Sequence, residues 1–136
     1  MEIRMQKVMR QMDALGYAES TIGTRMIRDA VEMVSNNERA MFCKDIYPVL
    51  AKKYGTTPGG VERAMRAATD KARRSPSWDW AWRHLAGLNI PTNAEVVWRL
   101  LRECAVRRKT VTEAESAAQK ARMRHELLAQ NAPTPE

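Results

Sequence analysis

Apolar residues recur every three or four positions through most of this chain, and that spacing predicts an all-α protein. Ile3 to Leu15 reads as a first helix, with Val8, Met12 and Leu15 on one side and Gly16 as its stop. Ser20 to Ser35 reads as a second. Ile22, Met26, Ala30 and Met33 form one row there, and Ile27 and Val34 widen the stripe. Asn36 and Asn37 make a turn. Arg39 to Ile46 is expected as a short helix of its own, because Pro48 deletes an amide and is best accommodated where the next helix begins. Two helices follow from Pro48 to Tyr54 and from Pro58 to Arg74, the second with Thr57 as N-cap and Pro58 at its first position. The run WDWAWRHLAG predicts a further short helix, with Trp78, Trp82 and Leu85 in one row as core residues. Thr92 and Glu95 have capping-box spacing ahead of a helix that buries Val97, Leu100, Leu101 and Cys104. From Thr112 to Gln130 the chain is helix-prone, but its apolar row of Ala114, Ala117, Ala121 and Leu128 is thin. The expected architecture is therefore a compact six- to seven-helix domain over residues 1–108, followed by a helical extension and a disordered tail over residues 109–136.

The interruption after Tyr54, in YPVLAKKYGTTPGGVERAMRAATDKARR, asks for an explanation. A helix-turn-helix needs a small residue where two short helices cross, a glycine able to take positive φ in the turn, and apolar wedge residues. Ala51 supplies the small contact and Gly55 the turn, and Leu50, Tyr54, Val61 and Ala64 fall at the wedge positions. With Val61, Ala64, Met65, Ala68 and Ala72 turned inward, the helical period leaves Gly59, Glu62, Arg63, Arg66, Asp70 and Arg73 outward.

Charge sharpens this picture. The formal net charge is +7. Residues 1–40 carry six basic and six acidic side chains, residues 41–90 nine and four, and residues 91–136 eight and six, so the excess is concentrated around the interrupted helix. A basic surface favours a polyanionic partner, here double-stranded DNA. Arginine matches the paired acceptors on the major-groove edge of guanine, and a glutamate either accepts from a cytosine amine or braces a neighbouring arginine. Glu62, Arg63 and Arg66 are accordingly the candidate base-reading residues. Lys52, Lys53, Lys71 and Arg74 flank that surface and suit phosphates, as do Thr56, Thr57 and the amides at the start of the Pro58 helix. A competing reading is an adaptor or inhibitor that turns the same basic scaffold toward an acidic or nucleic-acid-binding protein. Glu62 and Arg66 also form an ordinary i, i+4 surface pair.

Other chemistry is thinly represented. Cys43 and Cys104 have no second cysteine or histidine at metal-ligand spacing and read as buried thiols of a reducing, cytoplasmic compartment. His84 and His125 stand apart, Asp79 reads as a helix cap, and Gly59-Gly60 opens a helix with no following lysine. No nucleophile, base and orienting group form a familiar arrangement, so neither an enzyme nor a cofactor is expected. Nothing approaches a membrane span.

The run from TIGTRMIRDAVEMVSNNE through IYPVLAKKYGTTPGGVERAMRAATDKA to PTNAEV resembles the C-terminal DNA-binding effector domain of the sporulation-initiation response regulator. Its most specific pieces are YP..AKKYGTT, VERAMR and PTN.E, and the resemblance covers roughly Met5 to Cys104. It implies a six-helix fold whose helix from Pro58 lies in the major groove, with Glu62, Arg63 and Arg66 at positions of the family's recognition helix. Two departures stand out. The family usually carries a base-reading arginine where this chain has Gly60, and a polar residue near Ala67. Losing a bidentate arginine forfeits about 1 to 3 kcal/mol of discrimination at one base pair, so a different target sequence is expected. The length also leaves no room for a phosphoacceptor receiver domain, so no aspartyl-phosphate switch is expected in this chain. A thinly amphipathic extension gains little from its own domain and is marginal alone. It either frays or finds a partner surface in a second subunit, and a homodimer is the expectation, with Ala117, Ala121, Met123, Leu127 and Leu128 in the contact.

Overall fold

The computed structural model describes residues 1–78, 90–106 and 121–122. Met1–Val106 forms one compact unit and Arg107–Glu136 a second, of which only Ala121 and Arg122 are described, both helical. The first unit contains α1 (Met5–Leu15), α2 (Ile22–Asn36), α3 (Tyr47–Tyr54), α4 (Pro58–Arg73) and α5 (Asn93–Cys104), with a π-helical turn over Phe42–Ile46. No strand occurs among the described residues, and the all-α expectation holds. Five α-helices are described; the helix expected in WDWAWRHLAG and the one expected from Thr112 fall almost wholly outside the described residues.

α2 is the central element. It lies against α4 and α5 and also touches α1 and α3. Its buried side consists of Gly23, Met26, Ile27, Ala30, Val31 and Val34, which meet Val8, Met12 and Leu15 of α1, Leu50 of α3, Val61 and Met65 of α4 and Val97, Leu100 and Leu101 of α5 in one core. Each of the Val, Leu, Ile and Met side chains among them contributes about 1.5 to 3 kcal/mol by leaving water, so this shared cluster is what holds the helices together. An antiparallel bridge between Ile3 and Ala105 fastens the lead-in of α1 to the end of α5, and the Val106 N–H donates to the Glu2 carbonyl at 2.9 Å.

Three expectations need correction. The row of Ile22, Met26, Ala30 and Met33 is inward only in part: Met26 and Ala30 are buried and Met33 is half-buried against the core, but Ile22 is 46% exposed. The stripe is rotated because Gly23 faces inward, where a β-carbon would run into the backbone carbonyl of Ala64 on α4. Residues 39–46 are likewise not a separate helix. The Ile46 N–H reaches back to the Met41 carbonyl at 3.2 Å, and the resulting wide turn runs straight into α3. The turn widens just where Pro48 would otherwise press its ring on the carbonyl four residues earlier, so the proline is absorbed without a break. Cys43 is exposed on that turn rather than buried, because Ile46 and Phe42 take its inward positions; Cys104 is buried as expected. Burial raises the Cys104 thiol above its ordinary pKa.

Candidate nucleic-acid interface

The sequence around Gly55 builds a tight reversal. Gly55 takes φ 67° and ψ 38°, the left-handed region that penalises a β-carbon, and its N–H and that of Thr56 both turn back to the Ala51 carbonyl. Two residues later Thr57 is extended, and its Oγ1 accepts the Gly60 N–H at 3.0 Å, which caps α4 ahead of Pro58. Leu50, Ala51, Val61 and Met65 are buried between α3 and α4, while Tyr54 and Ala64 are partly buried against the same core. The pair is thus a wedge-packed helix-turn-helix.

α4 is held from behind by three devices. Its Ala64 carbonyl lies against Gly23 of α2. Thr69, fully buried on α4, is joined to the Tyr17 hydroxyl at 2.8 Å, and the Tyr17 ring packs on Trp78 at 6.2 Å between centroids. Burial raises the Tyr17 hydroxyl far above its ordinary pKa and outweighs the Thr69 hydrogen bond, so the hydroxyl stays protonated. The third device is Asn93 at the start of α5. Its Nδ2 donates to the Tyr47 hydroxyl at 3.2 Å and to the Glu62 carbonyl at 3.1 Å, and so ties α3, α4 and α5 together. Burial again raises the Tyr47 hydroxyl, against the lowering effect of Asn93. Thr92 caps α5 by accepting the Glu95 N–H at 3.1 Å, and its hydroxyl donates to the Glu95 carboxylate, which is one side of the expected capping box.

The opposite side of α4 is open. Arg63, Arg66 and Ala67 are exposed, and Glu62 is half-buried. The Arg66 guanidinium donates to the Glu62 carboxylate, so the glutamate braces the arginine. The Arg63 guanidinium folds over Gly59, where a β-carbon would lie 3.3 Å from its Nη1. At Gly60 a β-carbon would collide with Thr56 Oγ1, so the hydroxyl occupies the space that an arginine side chain would need to leave the helix. A cleft of about 220 Å³ runs beside this face, between Glu62 and Arg66 on one side and residues 90–94 on the other.

The flanking cations are not equivalent. Lys52 and Lys71 are exposed with no ion pair among the described residues. Lys53, by contrast, holds Asp29 of α2 at 2.9 Å, and the same carboxylate oxygen accepts the Tyr54 hydroxyl. Arg74 pairs with Asp70 at 2.9 Å, and Arg73 shares that carboxylate at 3.1 Å. Thr56 and Thr57 are exposed at the turn. Sequence reading missed Asp29, Gly23, Thr69, Tyr17 and Asn93. The PTN.E string carries the only local hint of them, since an asparagine just inside a capped helix has no role in the cap itself. Among the described residues no group of three His, Cys, Asp or Glu side chains is placed to hold a metal ion, and no helix is long and apolar enough to cross a membrane.

A reversal that projects an arginine-bearing helix from a braced core has the arrangement of a DNA-binding helix-turn-helix. The family model described as "Sporulation initiation factor Spo0A C terminal" matches residues 8–104, from the middle of α1 to the last residue of α5. The chain belongs to that family and is, as its members are, a DNA-binding regulator of transcription.

Proposed function

We propose that this protein binds double-stranded DNA sequence-specifically by placing α4 in the major groove. The observation that carries the reading is the pair of exposed arginines, Arg63 and Arg66, on a helix whose other side is clamped by Gly23, Thr69 and Asn93. A side chain reads a base edge only when its helix cannot yield, because the discrimination of about 1 to 3 kcal/mol per bidentate contact is lost to reorientation otherwise. Glu62 serves by orienting Arg66. Lys52, Lys71, Thr56 and Thr57 take phosphates, with Arg74 and Lys53 joining once Asp70 and Asp29 release them. The carboxy-terminal residues after Arg108 pair two copies so that two α4 helices meet successive half-sites about one turn apart. Of the residues assigned to that contact only Ala121 is described, as an exposed helical residue; Ala117, Met123, Leu127 and Leu128 lie outside the described residues.

The test is selection of bound sequences from a random duplex pool, followed by salt titrations of the selected and a random duplex. Two to four lysine or arginine contacts to phosphate give a log–log slope of about −2 to −4 on both, with the selected duplex bound at least about tenfold more tightly. Equal affinity for both duplexes at every salt concentration would remove the base-reading role.

A further inference from the structure

Away from the outer face of α4, α1, the α1–α2 connection and α2 border a cavity of about 230 Å³. Met9, Met12 and the Tyr17 ring form its apolar walls. Two polar groups on α2 also line it, each with unused hydrogen-bonding capacity. Thr24 is 3% exposed, and its Oγ1 is buried with no hydrogen-bond partner among the described residues. A native structure rarely leaves such a group unmatched. The Arg28 side chain is only 15% exposed, and its one ion pair among the described residues is with Glu19 at 3.6 Å. That is well beyond the roughly 2.7–2.9 Å of a charge-assisted hydrogen bond, and the Glu19 side chain is 77% exposed to water. A nearly buried guanidinium with spare donors, on the same wall as a hydroxyl without a partner among the described residues, has the donors that a carboxylate needs.

The remaining lining narrows the ligand. Arg10 and Arg28 are balanced by Asp13 and Glu19, so the cavity has no net charge to offer a simple anion. Its carboxylates match an ammonium. Its volume is below the roughly 300–1,000 Å³ of pockets for drug-sized ligands, and the methionines are adaptable apolar walls. We propose that this cavity binds a free α-amino acid with an apolar side chain. The ligand carboxylate lies on Arg28 and Thr24, its ammonium toward Asp13 and Glu19, and its side chain on Met9, Met12 and Tyr17. Tyr17 also grips Thr69, so the site is one hydrogen bond away from α4.

The test is calorimetric titration of the full 136-residue chain, without DNA, using L-methionine and L-leucine. The leucine skeleton lacking its amine (4-methylpentanoate) and lacking its carboxylate (isoamylamine) serve as controls. At least one amino acid binds saturably at one site, and both truncated analogues bind at least about tenfold more weakly, since one leaves the buried Thr24 and Arg28 unmatched and the other gives up the ammonium's attraction to Asp13 and Glu19. Arg28→Gln lowers affinity at least about tenfold. Thr24→Val lowers it several-fold while leaving the melting temperature unchanged or raised, because the variant removes a buried hydroxyl that no described residue hydrogen-bonds. The proposal is overturned if neither amino acid binds below about 10 mM. It is equally overturned if 4-methylpentanoate binds as tightly as leucine, or if Thr24→Val keeps full affinity. DNA takes no part in these measurements, so their outcome is independent of where α4 docks.

Discussion

The two sides of α4 are built on opposite principles. The inner side is specified by fit: Val61, Met65, Thr69 and Ala72 are each fully buried, the Ala64 carbonyl lies on Gly23, and Thr69 and the Glu62 carbonyl are each hydrogen-bonded to a distant element. On the outer side Arg63, Arg66, Ala67 and Lys71 are exposed, and the pairs it makes are short-range ones along the same helix. Exposed i, i+4 pairs contribute about 0.3 to 0.5 kcal/mol, so the outer arginines do little for the fold and are available to a partner. Under the proposed docking, stability and recognition are separated by half a helical turn. One face can vary in sequence without cost to the other.

Substitutions on the two faces should therefore fail differently. The largest effect is expected at Gly23→Val, where the new side chain must displace α4 from α2; a loss of about 3 kcal/mol or more lowers the melting temperature by more than roughly 10 °C and takes DNA affinity with it. A variant that melts like the wild type would mean that the two helices do not approach so closely. Next come Arg63→Ala and Arg66→Ala, each expected to weaken binding to a selected duplex by about 1 to 3 kcal/mol while thermal unfolding moves by less than about 0.5 kcal/mol. If unfolding shifts as much as binding does, the separation of faces is wrong.

Gly55 offers a smaller and cleaner contrast with Gly23. It has open space around it but a positive φ, whereas Gly23 has an ordinary φ and no space. Gly55→Ala should cost about 1 to 2 kcal/mol through backbone strain alone, and Gly55→Asn less, because asparagine tolerates the left-handed region. Equal urea midpoints for alanine and asparagine at this site would remove strain as the cause.

The smallest effect is on pH dependence. Burial, then the hydrogen bond to Asp29 and that carboxylate's charge, push the Tyr54 hydroxyl up to about 12, and burial raises Tyr17 and Tyr47 as well. Below the unfolded value of about 10 these hydroxyls are protonated in both states and their contribution is complete. Above it the unfolded chain ionises first, so stability falls as pH rises from about 10 toward 12. Urea midpoints are expected to stay level from about pH 8 to 9.5 and then decline, with a shallower decline in Tyr54→Phe. A level midpoint up to about pH 11 in the wild type would contradict the raised hydroxyls.

What the sequence determined by itself is local. The helix-turn-helix, the stops at Gly16 and Gly55, the caps at Thr57 and Thr92 and the exposure of Arg63 and Arg66 all follow from 3.6-residue periodicity and from the φ each residue tolerates, quantities set within a few residues of one another. Tertiary structure decided everything that depends on which distant residues meet. Ile22 reads as a core residue in its own helix, yet Gly23 faces α4, because the separation of two helices is a property of the pair. Lys53 reads as a free cation until Asp29 arrives from α2, twenty-four positions earlier. Thr69 and Asn93 have no assigned role along the chain, and become clamps of α4 only because Tyr17 and Tyr47 arrive beside them. Hydrogen bonds of this kind span 46 and 52 positions, and no periodicity encodes such a distance.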